Sequence, residues 1–499
     1  SLGAIWSSCA PEFGTEAVLG RLRQIDPKVL FAVDGYRFGE VAVERAAEVA
    51  EIRRQLPSVE TVVAVPYLFP GETRLPDSVP WDGFLAAPGA EPVYDRLPFD
   101  HPLHVVFSSG TTGLPKPMVH GAGGVLVDHL KTHAFHLDVG PGDRMFFFCT
   151  TGWIAWNWLI SALAVGSGIV LFDGNPMHPD ASSVWQLAAE TATTFYASSP
   201  GLMMAARRDG IVPRQVADLS RLRCVVTSGA PMGAEGFRWI YEAVGDDVYL
   251  QSLSGGTEVV GAFVGGVPLL PCRAGLIATK WLGCAVEAWD SDGKAVVGEQ
   301  GELVLTEPLP SMPLRLWGDD DGSRLHSAYF DRYPGVWCHG DWITFTPEGS
   351  SVITGRSDAT LNRGGVRLGT SEFYTIVEAL PEVADSLVVH IEDPGGGIGE
   401  LMLFVVPAAG AALDDGLQGR IRAELRRRLS PRHVPDVIEA VAAIPQTLTG
   451  KKLEIPVKRI LTGTPPDRAA SRGSLANPDA LDVFEQLAKR RLAHQEVSA

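Results

Sequence analysis

The sequence predicts an α/β fold: parallel sheets covered by helices form a large N-terminal body with a small β subdomain, and a smaller α+β C-terminal domain follows. Three observations predict it. Between 104 and 251, short β-branched or aromatic runs alternate with longer stretches of helical apolar spacing. From 282 to 305 the pattern changes to short strands and turns, among them Asp290-Ser291-Asp292-Gly293. After Gly355 a third region combines strand-like and helical segments around a Gly-rich turn. At 499 residues the chain also exceeds what a single hydrophobic core sustains.

Taken in order, the strand-like runs are 104–107, 145–149, 169–172, 193–196, 224–227 and 248–251, with helical spacing between several of them, as in 234–244. No charged side chain occurs between Arg144 and Asp173, a length that could cross a bilayer. Gly152, Gly166 and Gly168 interrupt it, and it divides into a strand at 145–149, a helix at 153–165 and a strand at 169–172. A buried strand–helix–strand unit is therefore expected, not a membrane span. Beyond 355, strands at 386–390 and 401–406 flank the turn 393–399, an amphipathic helix covers 419–429, and a polar segment, 465–478, precedes a short helix at 480–491. The expected domains are 1–356, with the β subdomain at about 282–355, and 357–499. The opening Ser1-Leu2-Gly3-Ala4-Ile5-Trp6 has no basic stretch and no initiator Met, and reads as the interior of an element, so a truncated N-terminus is expected.

Composition narrows the functional classes. Hydrophobic residues make up 45% and charged residues 20%, an ordinary globular balance. A formal net charge of −17 repels nucleic acid and anionic membranes while leaving room for a local basic pocket. Neither class of partner is expected. The 6 cysteines are scattered without C-x-x-C spacing and read as reduced thiols of a cytoplasmic protein. The sequence contains no H-E-x-x-H zinc spacing and no G-x-S-x-G nucleophile elbow.

The strongest chemical signal is Ser108-Ser109-Gly110-Thr111-Thr112-Gly113-Leu114-Pro115-Lys116-Pro117, directly after the run 104–107. Glycines let backbone N–H groups turn toward an anion, hydroxyls add donors, and lysine supplies a mobile positive charge. Prolines at 115 and 117 exclude a Walker A loop, which needs Gly before the Lys and Ser or Thr after it.

This loop resembles the phosphate loop of the adenylate-forming superfamily, which includes acyl-CoA synthetases, luciferases and the adenylation domains of peptide synthetases. The resemblance extends over nearly the whole chain. Ser254-Gly255-Gly256-Thr257-Glu258 resembles the family's aromatic–Gly–x–Thr–Glu motif, which implies that Glu258 holds Mg²⁺ and Thr257 contacts the α-phosphate. Ser254 departs from the pattern, standing where an aromatic normally stacks on adenine. Gly229-Ala230-Pro231 is likewise implied to contact the nucleotide. Trp337-Cys338-His339-Gly340-Asp341 resembles the Tyr–x–x–Gly–Asp motif, with Asp341 on the ribose hydroxyls. In Gly355-Arg356-Ser357-Asp358, Arg356 is implied to contact the nucleotide and Asp358 to be the pivot of a mobile catalytic cap, 357–499. Gly364 and Gly365 are implied to face coenzyme A, and Arg367 to approach the phosphate. Pro445-Gln446-Thr447-Leu448-Thr449-Gly450-Lys451-Lys452 looks like the C-terminal catalytic-lysine loop. Its position names Lys451, with Lys452 the alternative. Arg426, in Arg426-Arg427-Arg428, aligns with a position that reaches the 3′-phosphate of CoA in acetyl-CoA synthetases, and reads equally as a solvated helix face.

The resemblance thus implies an AMP-forming acid–thiol ligase that uses ATP, Mg²⁺ and coenzyme A. Residues aligning with the acyl pocket are Ile154, Ala155, Asn157, Ser228 and Gly255. In acetyl-CoA synthetases a tryptophan corresponds to Gly255 and closes the pocket, so a larger acid is expected here. Ser228 and Asn157 are candidate donors to a keto oxygen. The runs Pro310-Ser311-Met312-Pro313 and Gly473-Ser474-Leu475-Ala476-Asn477-Pro478 look like those of enzymes that activate acetoacetate, which is the expected acid. Alternatives are another short acid, the loading of a carrier protein, and a nucleotide-binding protein without turnover. A lysine acyltransferase or deacylase acting on Lys451 is a further expected partner.

Overall fold

The structure, a computed structural model, describes all residues except 1, 73, 86–88, 90, 109–114, 230–231, 358–360, 364–365, 369, 394–396, 447–451, 471–474, 476 and 499. At 208, 354–356, 362, 366–367, 371, 375 and 492–498 it describes the backbone alone. The chain divides into two compact units that part between Ser357 and Asp358.

The first unit is organised by a five-stranded sheet in the order Tyr249–Ser252, Cys224–Thr227, Phe195–Ser198, Arg144–Phe147, Gly168–Val170. Every pairing in it is parallel. Strands buried on both faces need apolar side chains on both, which is why these runs lack polar alternation. Met145, Phe147, Phe195, Ala197 and Val226 enter one core with Trp158, Phe263 and Trp281. Phe146, Tyr196 and Val225, on the opposite face, pack with Trp185, Met203, Phe237 and Ile240.

The uncharged stretch folds as expected into strand Arg144–Phe147, helix Ile154–Ser161 and strand Gly168–Val170, but the last helical turn, Ala162–Val165, tightens to 3₁₀ before Gly166 takes φ +81°. Among the described residues no helix is long and apolar enough to cross a membrane.

One expectation fails. The run 104–107 does not join the parallel sheet. Strand Pro102–Ser108 pairs antiparallel with Lys116–Gly121, Ser108 facing Lys116, and Arg315–Leu316 completes a separate three-stranded sheet. A phosphate-loop sequence that returns to its own strand's edge makes a hairpin, whereas parallel pairing would need a crossover of a dozen residues or more.

A four-stranded antiparallel sheet follows, ordered Val286–Trp289, Gln300–Leu305, Trp337–Phe345, Ser351–Arg356. Along Trp337–Phe345 burial alternates strictly, placing Trp337, His339, Asp341, Ile343 and Phe345 on the inner face. In the second unit, strand Val383–Ile391 pairs antiparallel with Glu400–Pro407, which pairs parallel with Val437–Ala440. Phe404, Ile444, Val457, Ile460 and Phe484 form its core. Helix Asp415–Arg428 starts where the Asp414 carboxylate accepts from Leu417 N at 2.7 Å.

Candidate active site

In a parallel sheet, ligands collect beyond the carboxyl ends of the strands, where the strand order reverses. The order here reverses at Arg144–Phe147, with Gly168–Val170 on one side and Phe195–Ser198 on the other. Several expected site residues follow those carboxyl ends. Helix Ile154–Ser161 carries Ile154, Ala155 and Asn157 and begins just after Trp153, whose ring packs edge-on against Phe147 at 5.6 Å. Ala155 is buried in the core beside Trp158 and Leu159, while Ile154 and Asn157 are half-buried. Ser228 leaves its strand with its N–H on the Ser198 carbonyl at 3.3 Å, and Gly229 turns the chain at φ +89°.

Beyond Ser252 the chain makes a tight hairpin, Ser254–Gly256 against Gly261–Gly265, with a register shift between Ser254 and Gly255. A Cβ at Gly255 would run into the Gly261 carbonyl and stand 2.5 Å from Ala262 Cα. Gly255 was expected to free acyl-pocket volume. Independently of that expectation, close approach of two backbones requires the glycine. The turn of this hairpin carries Thr257 and Glu258. It closes on Val260, a β-branched residue at φ +46°, a conformation costing on the order of 1–3 kcal/mol. Both lone pairs of the Val260 carbonyl are taken, by His129 Nε2 at 2.7 Å and Trp158 Nε1 at 3.1 Å. Two buried side chains thus hold the strained turn in place. His129 and His133 have the i, i+4 spacing of metal ligands, but His133 Nε2 bonds Ser161 Oγ at 2.9 Å, so both rings serve the structure. Among the described residues no group of three or more potential metal ligands converges.

Glu258 is 3% exposed, and the Tyr329 hydroxyl donates to its Oε1 at 3.3 Å. The other side of the arrangement is cationic: Lys116 Nζ lies 4.5 Å from the Tyr329 ring centroid. Trp337 stacks on the same ring at 3.9 Å and 6°, which fixes its plane. One tyrosine therefore joins the lysine at the foot of the phosphate loop to the expected metal carboxylate. Next to them, burial pushes the His120 imidazole down to about 4, against the pull of its bond to Ser311 and of Glu258. A neutral ring there adds no charge. A single buried carboxylate oxygen donor suits Mg²⁺, which takes one or two carboxylates and completes its shell with phosphate and water.

Asp341 is 4% exposed on the inner face of its strand, with Oδ2 3.5 Å from His339 Nε2 and its backbone opposite Arg356. Glu302, which no motif pointed to, organises this corner. Its Oε1 accepts from Gly340 N at 3.1 Å and from Ser357 Oγ at 2.5 Å, and its Oε2 takes the Arg332 guanidinium. Ser357 N in turn donates to the Gly340 carbonyl at 2.7 Å. Burial raises the Glu302 carboxyl above its usual range while Ser357 and Arg332 act the other way. A charged residue inside the apolar run Gly301-Glu302-Leu303-Val304-Leu305 was the available signal, because buried carboxylates persist only when paired. Tyr329 left no comparable trace.

Ser108 is buried at the end of its strand. Ser109, Gly110, Thr111, Thr112, Gly113, Ala230, Pro231, Asp358, Gly364, Gly365 and Lys451 lie outside the described residues. Arg356 and Arg367 are placed on strands Ser351–Arg356 and Val366–Leu368 by their backbones alone. Arg426 is exposed on helix Asp415–Arg428. Lys452, the alternative to Lys451, is engaged: its amine bonds Glu378 Oε1 at 2.5 Å, the Ser386 carbonyl at 2.6 Å and Asp385 Oδ1.

Residues 1–312 match the family described as AMP-binding enzyme, and residues 375–451 match the AMP-binding enzyme C-terminal domain. Over 98% of its length the chain is 45% identical to an acetoacetyl-coenzyme A synthetase of Rhizobium meliloti, covering 74% of that protein. It is 40% identical to acetoacetyl-CoA synthetase of Mus musculus, covering 73% of it. Among solved structures, acetoacetyl-CoA synthetase from Streptomyces lividans matches with a TM-score of 0.71 and 48% identity, over 98% of this chain and 74% of that one. The amide bond synthetase McbA from Marinactinospora thermotolerans shares the fold, with a TM-score of 0.72 at 22% identity, over 90% of this chain and 83% of that one.

Proposed function

The chain belongs to the AMP-binding enzyme family, and from that premise we propose that it ligates acetoacetate to coenzyme A through an acyl-adenylate. In the first step an acetoacetate carboxylate oxygen attacks the α-phosphorus of ATP, a new P–O bond forms, and pyrophosphate leaves with the electrons of the broken one. In the second, the CoA sulfur attacks the acyl carbon and AMP leaves. The acid is the one that its relatives' names carry. The observation that carries the chemistry is the Lys116–Tyr329–Glu258 arrangement, which sets a cation and a carboxylate on one rigid ring.

Each residue then has a task. Lys116 supplies positive charge to the phosphates, and Asp341 accepts from the ribose hydroxyls. Glu302 fixes the Gly340-Asp341 segment of strand Trp337–Phe345 through the Gly340 N–H. Glu258 would hold Mg²⁺, which when bound neutralises phosphate charge. The Trp158 and His129 bonds to Val260 keep the Glu258 turn from relaxing. Lys451 meets the charge that develops between carboxylate and α-phosphate. In support of Lys451 over its neighbour, the Lys452 amine is already bound by three acceptors. Acylation of Lys451 would remove that charge and stop adenylation.

Lys451→Ala tests the assignment. It is expected to abolish acetoacetate-dependent exchange of pyrophosphate into ATP, yet still convert supplied acetoacetyl-adenylate to the CoA ester. Equal loss of both half-reactions in a folded variant refutes the role.

A further inference from the structure

Residues 447–451 lie outside the described residues, but the residues on either side of them are described, and both are tied to one carboxylate. Gln446 and Lys452 face each other in an antiparallel bridge, so the chain leaves and returns at one place. Gln446 Nε2 donates to Asp385 Oδ2 at 2.9 Å, and Lys452 Nζ donates to Asp385 Oδ1. Each foot therefore occupies one oxygen of the same side chain.

Asp385 is itself fixed. It sits on strand Val383–Ile391, paired along its length with Glu400–Pro407, and its Oδ1 also accepts from Ser386 N at 2.8 Å. The remaining donors of Lys452 go to Glu378 Oε1 at 2.5 Å and the Ser386 carbonyl at 2.6 Å, with Nζ 4.2 Å over the Tyr374 ring. Glu378 Oε1 accepts from Ser386 N at 3.0 Å and Ser386 Oγ at 2.7 Å. The other foot has a second tether, since Gln446 N donates to Asn477 Oδ1 at 2.8 Å and Asn477 Nδ2 to the Ile444 carbonyl at 2.6 Å. Lys452 has a side chain only 16% exposed, so solvent weakens this ion pair little.

We propose that Asp385 is a positioning residue for the adenylation step: by clasping Gln446 and Lys452 on its two carboxylate oxygens it fixes where Lys451 is presented. The proposal rests on the reading of Lys451 as the adenylation lysine. A carboxylate that merely stabilised this unit would support both half-reactions alike. A clasp on the lysine segment supports the first alone.

Asp385→Asn is the discriminating variant, because an amide turns a donor toward one of two feet that both donate. Acetoacetate-dependent pyrophosphate exchange should fall by about 10- to 100-fold in kcat, as a misplacement of about 1 Å costs up to about 10²-fold, with KM for ATP unchanged. Thioester formation from supplied acetoacetyl-adenylate should hold its wild-type rate. Hydrogen exchange of a peptide spanning 445–453 should quicken, and Asp385→Glu should restore part of the lost rate. Unchanged exchange of pyrophosphate, or an equal fall in both half-reactions of the folded variant, overturns the clasp. If Asp385→Asn does not fold, Gln446→Met, which frees one foot only, carries the same comparison. Lys451→Ala beside it separates the two claims. Loss there with retention in Asp385→Asn overturns the clasp alone, and retention in Lys451→Ala overturns the lysine assignment and the clasp with it.

Discussion

A side chain at position 255 has nowhere to go. Its Cβ would run into the Gly261 carbonyl and lie 2.5 Å from Ala262 Cα, both backbone atoms of a paired strand. Gly255→Ala should therefore lower the melting temperature and reduce kcat/KM for acetate and acetoacetate in the same proportion. Gly255→Trp should do so more severely. A rise in the acetate-to-acetoacetate ratio for Gly255→Trp, in soluble and folded protein, would show that the hairpin yields and that position 255 does line the acyl pocket. The identity of a motif residue was legible in the sequence, but the direction of its Cα–Hα bond was not, because that depends on a register shift within the hairpin. The same limit hid Tyr329. Its ring meets Lys116 from 213 positions away, and nothing local marks such a contact.

At the scale of elements, helix Ala122–Lys131 runs into a π turn, Thr132–His136, and together they bury His129, His133 and His136. With His104 and His120 on the neighbouring hairpin, five imidazoles are held neutral by desolvation. Burial pushes His104 and His133 down to about 3, and His120 and His136 down to about 4. The unfolded chain takes up these protons near 6.5 while the folded chain refuses them. Their contribution to stability is present above pH 6.5 and is lost as pH falls from there toward 3–4. Glu302, with its carboxyl raised by burial, acts in the opposite sense, its contribution being lost as pH rises through that raised value. Melting temperatures from pH 8 to 5 should thus hold level and then fall increasingly steeply below about 6.5. A flat profile would mean that the rings are charged or exposed in the folded protein. Of the elements that carry these histidines, the run 104–107 was readable as a strand. The hairpin pairing of Pro102–Ser108 was not, since the same apolar run suits a parallel or an antiparallel edge.

For the whole molecule, the alternation of short apolar runs with helical spacing was enough to predict a parallel sheet, because its inner strands Phe195–Ser198 and Cys224–Thr227 are buried on both faces by the helices that cover the sheet. The phosphate-loop sequence, Glu258 and Asp341 stood out in the sequence because the roles proposed for them, in anion, metal and ribose recognition, each demand particular residue types in a short span. The supports of those residues came from afar: Glu302 reaches Gly340 and Ser357, and Trp158 reaches Val260. Such partners are set by tertiary pairing, and the sequence marks them at most by an unexpected charge in an apolar strand.

AMP-forming ligation of acetoacetate to coenzyme A is tested by incubating the protein with ATP, Mg²⁺, CoA and, separately, acetoacetate, butyrate or acetate. AMP, ADP, pyrophosphate and thioester are then quantified. One AMP and one pyrophosphate should appear per acetoacetyl-CoA formed, with no ADP, and kcat/KM for acetoacetate should be at least about 10-fold above that for butyrate, since a site that bonds a keto oxygen is left with an unpaired group by the analogue. Release of ADP, equal turnover of butyrate, or adenylate formation without transfer to CoA would contradict it.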